Sequence, residues 1–319
     1  MTQESMSMKK WTYHGIAAIG LLMTFNLSAK DCAQAEQWYQ QALSAGQAQD
    51  FQTATKWLQQ STGECDRYEN WVLLGQANLE LGDYDEAETA LAQAENYVDR
   101  SNTAALANLL ALQSRVSAAQ GKNAEALALA QTARRIYQPA PAWLDEWAQQ
   151  LDAQASQQPL TVSGLERSLD SAERAVRLIR VEPRNNNAST MASTPGATSN
   201  DPLPLSPSVN IRINFDYDST QVAGTSRQNV SVLAETLAKP KYQGKRIILV
   251  GHTDKRGDAQ YNMNLSLKRA AAIQQQLIGL SPQLQGHIQI QGKGEDQLLY
   301  QGDSEQVHLL NRRIEVFLL

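Results

Sequence analysis

The side chains best suited to catalysis are few and scattered in this sequence. There are four histidines, His14, His252, His287 and His308. No two of them share a spacing typical of metal ligands, and the two cysteines have no histidine nearby with which to form a zinc site or an activated thiolate. Hydrolysis would need such a site or paired carboxylates in a cleft. We therefore expect a protein that is not an enzyme and holds no metal or cofactor.

Length and charge define the broad class. The chain has 319 residues, enough for about two domains, with 28 Lys and Arg against 33 Asp and Glu. The net charge of −5 argues against a nucleic-acid partner. The acidic surplus is concentrated in residues 30–155, which carry 8 basic and 17 acidic side chains.

The first residues have the pattern of an export signal. Lys9 and Lys10 precede an apolar run from Ile16 to Leu27, and Leu27-Ser28-Ala29 offers small residues for cleavage. This predicts a secretory signal peptide at residues 1–29, with Met8 as an alternative start. An uncleaved membrane anchor is the other interpretation, but the run is shorter than the roughly 20 residues that span a bilayer. No transmembrane segment is expected after the signal is removed.

Export places the two cysteines of the sequence, Cys32 and Cys65, in an oxidising compartment. An even number of cysteines usually forms disulfide bonds there. We expect a disulfide between them that joins the first helix to the third. In the chain-entropy description it would contribute about 3–4 kcal/mol. Two free, buried thiols are the alternative.

Residues 30–155 repeat a helical hairpin. Apolar residues recur at spacings of three and four, which is the helical period. The unit from Trp71 to Val98 resembles a tetratricopeptide repeat (TPR) through Trp71, Leu74, Gly75, Leu81, Gly82, Tyr84 and Ala87. We expect three degenerate hairpins and a capping helix around Trp143 and Trp147, with tryptophans in the core rather than in a ligand cage. Such an array presents a groove for a peptide or a partner helix.

The pattern of residues 156–208 predicts a segment that connects two domains. Residues 163–181 form an amphipathic pattern that can pack on either domain. Residues 182–208 hold five of the ten prolines and almost nothing apolar, which predicts a flexible tether.

From Val209 onward the periodicity changes to that of a mixed α/β domain. Val209, Ile211 and Ile213 alternate with polar residues as in a strand. A helix up to Pro240, a strand at 246–250, a long helix at 262–280 and strands at 288–291 and 313–319 complete the order βαβαββ. This order predicts helices packed against one mixed sheet.

Five motifs of this domain resemble the OmpA-like peptidoglycan-binding domain. They are Asn214-Phe215-Asp216-Tyr217-Asp218-Ser219, Gly251-His252-Thr253-Asp254 with Gly257, Tyr261-Asn262 with Leu265-Ser266 and Arg269-Ala270, Gly292-Lys293-Gly294-Glu295, and Asn311-Arg312-Arg313. The resemblance covers about a third of the chain. It implies an OmpA-like α/β sandwich at 209–319. Together with the signal (1–29), the TPR-like array (30–155) and the amphipathic helix and disordered linker (156–208), this predicts an α+β multidomain protein.

The resemblance also implies a ligand and a site. The family binds the diaminopimelate residue of peptidoglycan stem peptides without cleaving it. By motif position, Asp254 and Arg269 would hold the ligand, with Asp218 and Asn262 as further contacts. The chemistry agrees, because the tip of diaminopimelate carries an ammonium and a carboxylate, which suit an acid and a guanidinium fixed close together. A purely structural pairing of Asp254 with Arg269 is the alternative.

The function expected from these features is non-catalytic anchoring in the periplasm. The C-terminal domain would bind the cell wall while the helical repeats hold an unknown envelope protein or peptide. The alternative is an envelope scaffold, or a secretion or motility accessory, that acts through the repeats alone. Three smaller features are expected to be structural. Gly292 and Gly294 would form a tight turn, and His252 would form a hydrogen bond within the fold. The motif Asn311-Arg312-Arg313 would order the loop before the last strand.

Overall fold

The structure is a computed structural model that describes residues 32–155, 158–179, 206–213, 215 and 220–319. The predicted signal at 1–29 and most of the predicted tether lie outside the described residues. The chain divides into two units, Met1–Gln120 and Gly121–Leu319. None of the helices in the described ranges is long and apolar enough to cross a membrane.

The first unit consists of helices. They are α1 (Cys32–Gln47), α2 (Phe51–Glu64), α3 (Tyr68–Leu81), α4 (Tyr84–Ala94) and α5 (Thr103–Ala119). Helix α1 packs on α2 and α3 packs on α4, so the region is made of helical hairpins as expected. A Cβ at Gly75 would lie 2.6 Å from Cγ of Leu91, which shows how closely α3 and α4 approach. The finer assignment to the TPR family stays a prediction.

The disulfide between Cys32 and Cys65 is present, with the two Cα atoms 5.3 Å apart. It connects the first residue of α1 to the residue that caps the end of α2, so the expectation that it reaches the third helix was wrong. The reason is that α2 runs back along α1, as the 2.8 Å hydrogen bond from Ser61 Oγ to the Ala35 carbonyl shows. The bond therefore closes the first hairpin on itself.

The second unit begins with three helices. They are α6 (Asn123–Ile136), α7 (Ala142–Ala155) and α8 (Val162–Ile179), and α6 packs on both of the others. The unit boundary at Gly121 falls between the two helices expected to form the third hairpin. The structure thus groups residues 121–155 with the C-terminal part of the chain rather than with the helical array that was expected to end at 155.

The C-terminal part of the second unit is a four-stranded mixed sheet with helices, which confirms the expected α+β architecture. Its strands are β1 (Ser208–Ile211), β2 (Ile247–His252), β3 (Ile288–Gly294) and β4 (Ile314–Leu318), in the order β1-β4-β2-β3. Strands β2 and β3 are parallel, and β4 is antiparallel to both β1 and β2. Its helices are α9 (Arg227–Leu237), α10 (Ala259–Leu280) and α11 (Glu305–Asn311). The short helix α11, between β3 and β4, is an addition to the predicted order.

Helix α8 is part of the core beneath this sheet. Leu165 and Leu169 are 2% and 1% exposed and belong to one apolar cluster with Val209, Leu249 and other strand and helix residues. This amphipathic segment was expected to pack on either domain, and it packs both on α6, within the predicted helical array, and on the C-terminal sheet. Both flanks of the predicted tether, α8 and β1, consequently lie in the same unit, where they contact each other.

Polar contacts attach α6 and α7 to the strand region as well. Arg135 of α6 donates to Ser208 Oγ at 2.5 Å, and Ser208 donates to Glu315 of β4 at 2.8 Å. Arg212, just after β1, donates to the Asp152 carboxylate of α7 at 2.7 Å. The Arg212–Asp152 ion pair is largely buried, so removing one member would leave a buried charge without its main partner.

Candidate functional site

Asp254 lies just beyond β2, where the chain turns toward α10. Only 9% of its side chain is exposed. It accepts a hydrogen bond from the backbone N–H of Arg256 at 3.0 Å and two from the Arg256 guanidinium, at 3.2 Å to Oδ1 and 3.0 Å to Oδ2. A fourth comes from Arg312 Nη1 at 2.6 Å. Asp254 is therefore a carboxylate held from two sides by arginine.

The charge state of Asp254 follows from these partners. Burial by itself would raise the pKa of this carboxyl group, but the hydrogen bonds from Arg256 and Arg312 outweigh burial and lower the pKa to about 2. The side chain is thus an anion at any pH at which the protein is expected to work. Its negative charge is balanced by the guanidinium groups of Arg256 and Arg312.

Glu305, the first residue of α11, completes the ion cluster. It accepts from Arg256 Nη1 at 2.9 Å and from Arg312 Nη2 at 3.1 Å. The four side chains of Asp254, Glu305, Arg256 and Arg312 carry two negative and two positive charges, so the cluster is neutral. Next to it, Lys255 pairs with Asp303 at 2.6 Å. The loop after β2 is therefore joined by ion pairs to the segment around α11.

Helix α10 places Asn262 and Arg269 on its buried face, together with Ser266. Seven residues are about two helical turns, so Asn262 and Arg269 lie on the same side of the helix. Asn262 donates to the Arg256 carbonyl at 3.0 Å and to Glu295 Oε2 at 2.6 Å, which ties it to the loop that carries Asp254. The Arg269 guanidinium lies 4.8 Å from the centroid of the Phe215 ring.

The helix comes close to the strands because glycines face it. A Cβ at Gly251 of β2 would lie 2.1 Å from the Ser266 carbonyl oxygen, and one at Gly292 of β3 would lie 2.7 Å from Ser266 Oγ. Ser266 Oγ accepts from the Gly294 N–H at 2.9 Å. The expectation of a tight turn at Gly292 was wrong, because this residue lies inside β3 and is needed for close packing. Gly294 has a positive φ of 51° at the end of the strand.

The motif Asn311-Arg312-Arg313 has two roles. Asn311 accepts from the N–H groups of Leu299 and Tyr300 at 2.7 and 3.0 Å and donates to the Tyr300 carbonyl at 2.9 Å, so it orders the preceding loop as expected. Arg312 instead extends to Asp254. The contact between Arg312 and Asp254 is thus an additional role of this motif.

His252, two residues before Asp254, is part of the fold rather than of an open site. Its side chain is fully buried, with Nε2 3.5 Å from Glu315 Oε2. Burial lowers its pKa to about 4, helped by the nearby positive charge of Arg313. The imidazole is therefore neutral near pH 7. Neither ring nitrogen forms a hydrogen bond within the described residues, so the expected hydrogen bond within the fold is not observed.

Among the predicted ligand residues, the structure links Asp254 to Asn262 through Arg256 and places Arg269 on the same face of α10 as Asn262. The guanidinium groups in contact with Asp254 are those of Arg256 and Arg312, whereas that of Arg269 lies over Phe215. Asp218 lies outside the described residues. The assignment of these four residues to a ligand stays a prediction.

Hollows of about 560 and 210 Å³ lie elsewhere in the second unit. The larger is lined by residues at the ends of α9 and α10, including Ala238 and Leu280, and the smaller by Tyr242 and His287 with their neighbours. Neither is lined by Asp254. The site around Asp254 is a surface cluster of charges rather than one of these hollows.

Comparison with known proteins shows a family match in the C-terminal part of the chain. Residues 214–312 match the model of the OmpA family. The peptidoglycan-associated lipoprotein of Pseudomonas aeruginosa is 36% identical over 104 residues, which are 32% of this chain and 58% of that protein. The corresponding lipoprotein of Legionella pneumophila is 32% identical over 103 residues, which are 32% of this chain and 56% of that protein.

A solved structure is also similar in part. The crystal structure of the peptidoglycan-associated lipoprotein of Burkholderia pseudomallei aligns over 38% of this chain and 95% of that chain, at 27% identity and a TM-score of 0.30. The curated relatives above are matched over less than two thirds of their own length. Residues 214–312, with the ion cluster around Asp254, thus form an OmpA family domain at the C-terminal end of this chain, as the sequence motifs predicted.

Proposed function

We propose that this protein is a non-catalytic anchor of the periplasm, which binds peptidoglycan through its OmpA family domain and presents a helical module to another envelope component. The proposal is supported by the family match at 214–312 and by relatives whose names describe association with peptidoglycan. The observation that carries it is Asp254: a sheltered carboxylate, ionised at neutral pH, beside the helix face that bears Asn262 and Arg269.

The ligand that suits this arrangement is the diaminopimelate residue of the stem peptide. Its free end bears an ammonium, for which Asp254 is the partner, and a carboxylate, for which the planar guanidinium of Arg269 is the partner. Asn262 would support the loop through the Arg256 carbonyl. Asp218 is kept in the proposal by its motif position alone.

The expected affinity of a single site is modest. Charge-assisted hydrogen bonds contribute about 1.5–3 kcal/mol each, and association costs about 4 kcal/mol or more. The area buried around the stem peptide must supply the rest, and we expect dissociation constants in the micromolar to millimolar range. The wall presents the same residue many times, so rebinding retains the protein without tight individual contacts.

The first unit is proposed as the module that holds the partner. Residues 32–120 carry 12 Asp and Glu against 4 Lys and Arg, a net charge of −8, which favours a basic or neutral partner. A groove on stacked hairpins ordinarily takes a peptide or a helix.

Cosedimentation with purified sacculi tests the wall-binding part. The full mature chain should pellet with the sacculi, and Asp254→Asn and Arg269→Lys should each weaken this by about tenfold, since each removes one charge-assisted contact while preserving size or charge. Asp303→Asn is the matched control, because Asp303 is 84% exposed and pairs with Lys255 instead. Circular dichroism should show that all variants remain folded.

Retained binding in both site variants would remove these two residues from the ligand site. Failure of the wild-type chain to pellet, with capture of a partner through residues 32–120, would favour the alternative of a scaffold that acts through its helices alone. Release of soluble muropeptides from the sacculi would contradict the non-catalytic assignment.

A further inference from the structure

The hydrogen bonds that Asp254 accepts occupy its whole carboxylate. A carboxylate has about four acceptor positions, and the bonds from the Arg256 backbone, the Arg256 guanidinium and Arg312 number four. An incoming ammonium group must therefore replace one of these donors before it can reach Asp254.

Arg256 is the donor that can leave. Its side chain is 53% exposed, against 25% for Arg312, and its guanidinium bonds to Asp254 are 3.2 and 3.0 Å long, against 2.6 Å for Arg312. Exposed ion pairs exchange at little cost because water and ions compete for both partners. The backbone bonds of Arg256, to Asp254 and to Asn262, do not depend on its side chain.

Replacement of Arg256 has different consequences for two kinds of ligand. A ligand with an ammonium but no adjacent carboxylate breaks the ion pair between Asp254 and Arg256 and supplies no anion to replace it, so Arg256 keeps only its contact with Glu305. A ligand that carries both charges brings a carboxylate with two oxygens, one for Arg269 as proposed above and one for the displaced guanidinium of Arg256, so each charge keeps a partner of opposite sign. Glu305, which also contacts Arg256, keeps the side chain near the site during the exchange.

We propose that Arg256 is a specificity-determining residue, which competes with the ligand for Asp254 and so admits an ammonium group only when a carboxylate accompanies it. The inference rests on the proposed function of Asp254 as the ammonium partner. It assigns to Arg256 a role beyond the four residues named by the family motifs: this side chain discriminates against stem peptides in which lysine replaces diaminopimelate, because lysine has the same terminal ammonium without the carboxylate.

The test compares two soluble stem tripeptides, one with diaminopimelate and one with lysine at the third position, titrated into the full mature chain by NMR. The wild type should prefer the diaminopimelate peptide. Arg256→Ala should reduce that preference by about threefold, equivalent to about 0.7 kcal/mol, mainly through tighter binding of the lysine peptide. Lys255→Ala is the matched control: it removes the same charge one residue away, from a pair with Asp303, and should keep the wild-type preference.

The outcomes separate this inference from the proposed function. If the wild type binds the diaminopimelate peptide and Arg256→Ala leaves the preference unchanged, the inference is wrong and the proposed function stands. If the wild type binds neither peptide, the proposed function is wrong and the inference falls with it. Arg256→Gln, which is neutral but keeps most of the side-chain bulk, should reproduce the effect of Arg256→Ala and guards against a loss of folding in the latter.

Discussion

Replacing Leu169 by alanine should destabilise the C-terminal sheet, although Leu169 lies outside the predicted and the matched OmpA-like segments. The side chain is 1% exposed and packs in the core beneath the strands. The change removes three buried carbon atoms, worth about 0.8 kcal/mol each, and leaves a cavity, so we expect a loss of about 3–4 kcal/mol within the range for buried leucines.

Hydrogen exchange offers a local measurement of this loss. Strand β4 lies inside the sheet, between β1 and β2, so its amides exchange through opening of the whole unit. A loss of about 3 kcal/mol should accelerate their exchange by about 100-fold. Arg167→Ala, on the exposed side of the same helix, is the matched control and should leave the rates near those of the wild type.

The opposite result would refute the grouping of α8 with the sheet. If the β4 amides of Leu169→Ala exchanged within about threefold of the wild-type rate, α8 would not be part of the core that holds the strands. The same result would support the expected boundary of the C-terminal domain near residue 209.

Two further predictions concern the first unit and the ion cluster. Cys32→Ser with Cys65→Ser should lower the free energy of unfolding of the first unit by about 3–4 kcal/mol, because the disulfide closes a loop of 33 residues; a denaturation midpoint that is equal in the reduced and oxidised wild type would contradict this. Because folding lowers the pKa of Asp254 from 3.8 to about 2, its contribution to stability is complete above about pH 4 and declines as the pH falls toward 2. The free energy of unfolding of the wild type should exceed that of Asp254→Asn by about 1–2 kcal/mol at pH 7, allowing for solvent screening, and the difference should shrink by pH 2. A difference in free energy of unfolding that is independent of pH would argue against an ionised Asp254.

Local patterns were sufficient to predict most elements of the C-terminal domain. Helix α10 was expected at 262–280 and spans Ala259–Leu280, and the strand expected at 246–250 spans Ile247–His252. These segments are long and periodic, so their type follows from their own residues. The three added residues at the start of α10 follow Asp258, whose side chain caps the helix by accepting from the Tyr261 N–H.

The partners of Asp254 were harder to predict, for different reasons. Arg256 is two residues away. A Lys-Arg pair directly after an acid near the end of a strand was a signal that a carboxylate and a guanidinium meet in the same loop. Arg312 is 58 residues away and Glu305 reaches the cluster only through the position of α11, a helix absent from the predicted order. Contacts of this range depend on how the segments pack together.

The amino-acid sequence by itself determined the identity of the C-terminal domain, the pairing of the two cysteines and the position of Asp254 at the end of a strand, because each depends on motif order, residue counting or local periodicity. Only the tertiary structure decided which partners surround Asp254, which helices the disulfide joins and that α6 to α8 group with the sheet. The physical reason is that an amphipathic helix such as α8 specifies that one face is buried, but not against which surface, and the shape and charge of the assembled core make that choice.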